Sequence, residues 1–172
     1  RVQSRGINAV LQRPDEVEAL LRETFAEPVQ ADALHFYGAG CGERYPEQSA
    51  RLREALARYF PAARIAVESD LMGAARALLG GRAGIACILG TGSNSCLCRD
   101  GEILKNVPPL GYVLGDEGSG AVLGRNLVNG IFKGMIPLRE EFLHTFALTY
   151  AGLIRRVYRE PAANRFPASF AP

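Results

Sequence analysis

Apolar and polar residues alternate between helical and strand-like patterns through the first half of the chain. Pro14-Asp15-Glu16 is typical of a helix start, because proline suits the first helical position and the acids complement the helix dipole. The succession of strands and helices predicts parallel strands in an α/β layered domain. The patterns predict, in chain order, a helix over 14–27, a buried strand over 33–37, a helix over 46–59, a strand over 64–70 and a helix over 72–79.

The pattern changes after the glycines of segment 80–84. Three short apolar runs predict a β-meander over 85–107, with Arg99-Asp100-Gly101 as a hairpin turn. A helix is then predicted over 117–132 and one long helix over 138–159, whose apolar face is compatible with a homodimer. We therefore predict two domains: a partial N-terminal α/β domain over 1–82, and the start of a C-terminal domain over 83–172.

Composition excludes several classes of protein. The chain has 172 residues, of which 48% are hydrophobic and 22% charged, and a net charge of +2. These values are ordinary for a globular protein and give no basis for a nucleic-acid or membrane partner. The four cysteines lie in apolar or glycine-rich segments, which argues against a disulfide-stapled scaffold. We expect a cytoplasmic protein.

Two glycine-rich segments carry candidate chemistry. In Gly90-Thr91-Gly92, backbone N–H groups and the Thr91 hydroxyl suit phosphate oxygens, although an ordinary hairpin turn has the same composition. Asp116 lies between glycines in the segment 115–120, where a carboxylate suits sugar hydroxyls or caps a helix. Asp70 ends an apolar strand, where it suits a catalytic base or a helix N-cap.

The remaining polar candidates have plainer interpretations. Cys96 and Cys98 share one face of a strand and are interpreted as buried thiols, because no second ligand pair has zinc spacing. His35 is interpreted as a core residue of its strand. Glu68 shares a strand face with Asp70, which leaves a coupled carboxylate pair open.

Four segments in order resemble one family: Ser4–Asn8, Val67–Asp70, Ile88–Asn94 and Gly111–Gly120. They resemble the N-acetylglucosamine kinase and BadF/BadG/BcrA/BcrD ATPase family, and are most similar to N-acetylglucosamine-kinase-like proteins from Bacteroidetes. The resemblance implies an actin-like ATPase (ribonuclease H-like) two-domain fold. It also implies ATP-dependent phosphorylation of a sugar hydroxyl, the 6-hydroxyl of N-acetylglucosamine or a related amino sugar.

The resemblance assigns roles to positions. Asp70 matches the catalytic base, and Gly90, Thr91 and Gly92 match a loop that binds the phosphates of ATP. Mg²⁺ would arrive with ATP, held by phosphate oxygens rather than by protein ligands. The positions that match sugar contacts are Asn8, Ser93, Asn94 and Asp116.

The chain also departs from the family. A first phosphate loop of the Asp-Gly-Gly-x-Thr type and an adenosine motif are missing, so we expect an incomplete and inactive piece of a longer kinase. Pro108-Pro109-Leu110 replaces the Gly-Gly-Trp of animal relatives, which leaves the identity of the sugar open. Two alternatives remain: a BadF-type ATPase that activates a dehydratase, and a non-catalytic sugar or nucleotide sensor.

Overall fold

The computed structural model describes residues 2–25, 27 and 29–171. The strands are β1 (Ala33–Gly38), β2 (Arg64–Ser69), β3 (Gly84–Leu89), β4 (Ser93–Arg99) and β5 (Glu102–Val107). The helices are α1 (Pro14–Thr24), α2 (Pro46–Tyr59), α3 (Asp70–Leu79), α4 (Gly111–Leu114), α5 (Gly120–Phe132), α6 (Arg139–Thr145), α7 (Tyr150–Tyr158) and α8 (Arg165–Ala168).

The structure confirms the mixed α/β class. The chain divides into two compact units, one that runs up to Ala86 and includes Cys98–Leu104, and one that comprises Cys87–Leu97 and the chain from Lys105 onward. The predicted domain boundary between residues 82 and 83 stays a prediction. The predicted first helix extended to residue 27, whereas α1 ends at Thr24, and residue 26 lies outside the described part of the chain.

In the first unit, β1 and β2 pair in parallel, as predicted. Ala33 lies opposite Arg64 and Gly38 opposite Ser69, so both strands end at the same edge. In parallel sheets this edge, at the carboxyl ends of the strands, is where ligands bind. The register therefore brings the loop after β1 next to the start of α3.

The core of the first unit lies between α1, α2 and β2. Apolar residues at helical spacing on α1 and α2 bury one face of each helix, which removes their side chains from water. The N-terminus of α1 is closed by Glu16, whose carboxylate accepts from the Arg13 N–H at 2.8 Å. The buried residues of this core are Val17, Leu21, Cys41, Leu52, Ala55, Leu56, Phe60 and Val67.

Strand β1 is less buried than its apolar composition predicted. Leu34 and Phe36 on one face are half-buried, whereas His35 and Tyr37 on the other face are exposed. The alternation follows the two-residue period of a strand that packs on one side. The interpretation of His35 as a core residue is therefore wrong.

Strands β3, β4 and β5 form a three-stranded sheet in that order, which confirms the β-meander. The three-residue and two-residue connections require antiparallel pairing, because a parallel pair needs a crossover of a dozen or more residues. Asp100 and Gly101 in the second turn have φ of 53° and 79°. Positive φ at both central residues suits a two-residue hairpin turn.

The single long helix predicted over 138–159 is wrong, because α6 ends at Thr145 and α7 begins at Tyr150. Between them Ala147 has φ of 48°, and the Thr149 side chain caps α7 by accepting from the Gly152 N–H at 3.0 Å. The break accompanies an aromatic cluster in which the Phe170 ring centroid lies 4.9 Å from that of Phe142 and 4.7 Å from that of Phe146. These ring contacts outweigh the helical continuity that the local pattern favours.

Candidate functional site

The turn Gly90-Thr91-Gly92 after β3 is fixed to the start of α5. The Gly120 N–H donates to the Gly90 carbonyl at 2.8 Å, and the Ala121 N–H donates to the Thr91 carbonyl at 3.1 Å. Within the turn, the Gly90 N–H donates to the Gly92 carbonyl at 2.9 Å. These bonds give the turn a defined backbone conformation even though Gly90 and Thr91 are exposed.

The first N–H groups of α5 are consequently occupied. Ser119 is the N-cap, and its buried hydroxyl accepts from the Val122 N–H at 3.2 Å. The turn carbonyls take the N–H groups of Gly120 and Ala121, so this helix N-terminus has little left to offer an anion. The donors that remain at the turn are the N–H groups of Thr91 and Gly92 and the Thr91 hydroxyl, which bond to no described residue.

The Asp116 carboxylate also holds the turn 90–92 in place. Its residue is only 7% exposed, and its Oδ1 accepts from the Ser93 N–H at 3.2 Å. A Cβ at Gly92 would lie 2.9 Å from Asp116 Oδ2, so any larger residue there would displace the carboxylate. The two glycine-rich segments that the sequence singled out therefore form one structural element.

Backbone conformation places the Asp116 side chain. Asp116 has φ of 56°, a left-handed conformation that a residue with a side chain adopts at a cost, and its N–H donates to the Pro109 carbonyl at 2.8 Å. Because Ser119 and not Asp116 caps α5, the alternative role of Asp116 as helix cap is wrong, and the helix begins at Gly120 rather than at residue 117.

Two contacts around this element were not predicted. The Arg125 guanidinium donates to the Tyr112 carbonyl at 2.7 Å, which holds α4 against α5. Gly115 packs so closely on the Pro109 carbonyl that a Cβ would collide with it. Arg125 resembles any solvated helix arginine in sequence, so no local signal identifies it.

Asn94 on β4 has its amide oriented by neighbours. Its Oδ1 accepts from the Ser95 N–H at 2.9 Å and from Asn106 Nδ2 at 2.7 Å. Asn106 lies on β5 and was not among the sequence candidates, because only the register of the hairpin brings it beside Asn94. Both side chains are half-buried.

In the first unit, Asp70 is the first residue of α3, at the sheet edge that the sequence predicted. The N-cap is Ser69, whose hydroxyl accepts from the Met72 N–H at 3.1 Å, so the alternative role of Asp70 as N-cap is wrong. Asp70 is exposed, and its Oδ1 accepts from the Leu71 N–H at 2.8 Å. The carboxylate keeps its second oxygen open to solvent and ligands.

The loop Gly38–Gly42 after β1 brings Asn8 and Asp70 to the same edge. The Ala9 N–H donates to the Ala39 carbonyl at 3.3 Å, and a Cβ at Gly40 would lie 2.9 Å from Asn8 Oδ1. Burial raises the pKa of the Cys41 thiol, and the negative charge of nearby Asp70 raises that pKa further. The glycines at 38, 40 and 42 are the local signal that marks this loop in the sequence.

Glu68 does not form the carboxylate pair that the sequence left open. Its Oε1 lies 3.4 Å from the Arg76 guanidinium, which also donates to the Tyr37 hydroxyl at 2.8 Å. The hydrogen bond to Tyr37 is the main cause that raises the pKa of Arg76. Glu68 is therefore the partner of an arginine.

The two cysteines of β4 agree with their plainer interpretation as buried residues. Cys96 and Cys98 are buried, and Cys87 is exposed on β3. Among residues 2–25, 27 and 29–171, no group of three or more His, Cys, Asp or Glu side chains has the arrangement of a metal site. Within the same residues, no helix has the length and apolar character needed to cross a bilayer.

Proteins similar to this chain are found among solved structures. No family model matches the chain, and no curated protein matches it. Among solved structures, the chain is similar to a Porphyromonas gingivalis protein called "Putative N-acetylglucosamine Kinase", with a TM-score of 0.92 and 48% identity. The match covers 99% of this chain and 62% of that protein, so the chain spans less than two thirds of the relative's length.

A second solved structure, from Chromobacterium violaceum and also called "Putative N-acetylglucosamine Kinase", matches with a TM-score of 0.71 and 23% identity. It covers 98% of this chain and 63% of that protein. At this identity the match supports the fold alone. The Porphyromonas structure, at 48% identity, confirms the resemblance to N-acetylglucosamine-kinase-like proteins, including those of Bacteroidetes, that the four sequence segments indicated.

Proposed function

We propose that the protein containing this chain transfers the γ-phosphoryl group of ATP to a sugar hydroxyl. The acceptor is the 6-hydroxyl of N-acetylglucosamine or a closely related amino sugar, on an actin-like ATPase (ribonuclease H-like) fold. The observation that carries the proposal is the turn 90–92, which is held between α5 and Asp116 and keeps its open donors at an exposed tip. The similarity to the Porphyromonas protein supports the same activity.

The reaction needs few covalent steps from the protein. The sugar oxygen forms a bond to the γ-phosphorus while the bond from that phosphorus to the β–γ bridging oxygen breaks, and ADP leaves. The proton of the attacking hydroxyl goes to the carboxylate of Asp70, which is exposed and has an open oxygen. Mg²⁺ would enter with ATP and would be held by phosphate oxygens and water.

The binding roles follow from the donors and acceptors that each residue presents. The N–H groups of Thr91 and Gly92 and the Thr91 hydroxyl bind phosphate oxygens, and Gly90 closes the turn through its N–H bond to the Gly92 carbonyl. The proposed sugar contacts are Asn8, Ser93, Asn94 and Asp116. These assignments, the cytoplasmic location and a homodimer remain proposals.

The test uses the full-length protein. ADP formation is measured by a coupled assay with N-acetylglucosamine, other amino sugars and hexoses, and the product is identified by phosphorus NMR. We expect N-acetylglucosamine or a related amino sugar to give the highest kcat/KM and a 6-phosphate as product. Absence of turnover with every sugar in the panel would refute the kinase function.

The role of Asp70 has a matched control. Asp15 is also an exposed carboxylate in the first turn of a helix, so Asp15→Asn reproduces the charge change without touching the site. We expect Asp70→Asn to lower kcat by about 10²-fold or more with an unchanged sugar Kd, because a general base contributes on the order of 10²–10⁴-fold. Wild-type turnover in Asp70→Asn would remove Asp70 as the base and leave the kinase function standing.

A further inference from the structure

Two asparagine side chains and one backbone residue form a small network in the β-meander. Asn106 Nδ2 donates to Asn94 Oδ1 at 2.7 Å and to the Ser95 carbonyl at 2.7 Å, and a longer contact of 3.1 Å joins it to the Val107 carbonyl. Asn94 Oδ1 also accepts from the Ser95 N–H at 2.9 Å. Asn94 belongs to the glycine-rich turn segment, whereas Asn106 lies outside every motif.

The backbone of Ser95 determines how both amides are oriented. The Ser95 carbonyl only accepts, so the atom of Asn106 that faces it is the nitrogen. The Ser95 N–H only donates, so the atom of Asn94 that faces it is the oxygen. A flip of either amide would set two donors or two acceptors against each other, so only one arrangement satisfies the network.

The network leaves one kind of group available on Asn94. Its carbonyl oxygen has two lone pairs, and both are in use. Its Nδ2 hydrogens donate to no residue in the described part of the chain. Asn94 therefore presents a hydrogen-bond donor to whatever binds there, and a ligand must meet it with an oxygen lone pair.

We propose that Asn106 is a positioning residue for the binding site: it holds the Asn94 amide so that Nδ2 donates to an oxygen of the bound ligand. The inference rests on the proposed function, in which that oxygen belongs to the sugar or to a phosphate of ATP. Asparagine suits position 106 because one nitrogen supplies two hydrogens, one for Asn94 and one for Ser95. Serine at this position supplies a single hydrogen and alanine none.

A double-mutant cycle on the full-length protein tests the inference. The Kd values of N-acetylglucosamine and of Mg-ATP are measured by calorimetry for wild type, Asn94→Ala, Asn106→Ala and the double variant. We expect Asn94→Ala to raise the Kd of one ligand about tenfold, as expected for one lost hydrogen bond. Asn106→Ala raises the Kd of the same ligand several-fold and has no further effect when Asn94 is already alanine.

The ligand whose Kd rises is the one that supplies the oxygen. A rise for N-acetylglucosamine alone and a rise for Mg-ATP alone both support the inference. A general structural role would instead weaken both ligands and persist in the Asn94→Ala background. Asn126→Ala is the matched control, because Asn126 is exposed on α5 and its side chain bonds to no described residue. Should Asn106→Ala fail to fold, Asn106→Ser keeps one of the two hydrogens and gives an intermediate Kd.

Two failures are distinguishable. If the wild-type protein binds its ligands and Asn106→Ala changes neither Kd, the inference is overturned and the proposed function stands. The same holds if Asn106→Ala raises the Kd as much in the Asn94→Ala background as it does in the wild type. A wild-type protein that binds neither ligand overturns the proposed function and the inference with it.

Discussion

Gly92→Ala is expected to destabilise the turn that carries the proposed phosphate contacts. A Cβ at position 92 would lie 2.9 Å from Asp116 Oδ2 and 3.3 Å from both Oδ1 and Cγ of the same carboxylate. The shortest of these distances is roughly 0.5 Å inside the separation at which such contacts are favourable. The carboxylate has to move, although Asp116 is only 7% exposed and bonds to the Ser93 N–H.

The magnitude follows from what the carboxylate loses when it moves. A hydrogen bond to a charged group contributes about 1.5–3 kcal/mol, and overpacking a closed site costs about 1–3 kcal/mol. We therefore expect the free energy of unfolding to fall by about 2 kcal/mol, measured by urea denaturation of the full-length protein with an unchanged m-value. The Kd of Mg-ATP should rise in parallel, because the donors of the turn lose their fixed positions.

Gly90 provides the control within the same turn. A Cβ at Gly90 would meet only the Gly92 carbonyl, at 3.9 Å, and neither glycine has a positive φ. Both substitutions reduce the freedom of the unfolded chain equally, so that contribution cancels between them. Equal stability of Gly90→Ala and Gly92→Ala would refute the reasoning, as would an undiminished cost of Gly92→Ala in an Asp116→Ala background.

Two further predictions concern single groups. Ser119→Ala should lower the free energy of unfolding by about 1 kcal/mol, because it removes the N-cap of α5, whereas Ser4→Ala at an exposed position should have little effect in the same urea titration. The free energy of unfolding should fall as the pH rises above about 8.5, because the unfolded chain ionises Cys41 at its ordinary pKa while burial and Asp70 keep the folded thiol protonated. Cys41→Ala should reduce that slope, and an identical slope in the variant would contradict the assignment.

The sequence predicted the elements whose signals are local. Helix α2 runs over Pro46–Tyr59 as predicted, because a helix-starting proline and an apolar stripe lie within the same 14 residues. The strands of the meander were found for the same reason, since each apolar run is bounded by its own turn. Asp70 was placed at the sheet edge because a strand and a helix meet there.

The errors arose where distant residues decide the structure. The helix predicted over 138–159 breaks because Phe142 and Phe146 pack on Phe170, far along the chain. The sequence did not predict the role of Asn106, because the register of a hairpin determines its partner. It did not predict the position of the Gly38–Gly42 loop, because the contacts of that loop come from the segments around Asn8 and Ser69. Periodicity within one segment contains none of this information.

The two ends of the turn 90–92 lie in different electrostatic environments. At one end, Asp116 places a buried negative charge beside Gly92 and the Ser93 N–H. A carboxylate repels phosphate and accepts from neutral hydroxyls, so the Ser93 end of the turn suits a sugar. At the other end, Thr91 is exposed, and its N–H and hydroxyl bond to no described residue. We therefore expect phosphate oxygens near Thr91 and sugar hydroxyls near Ser93.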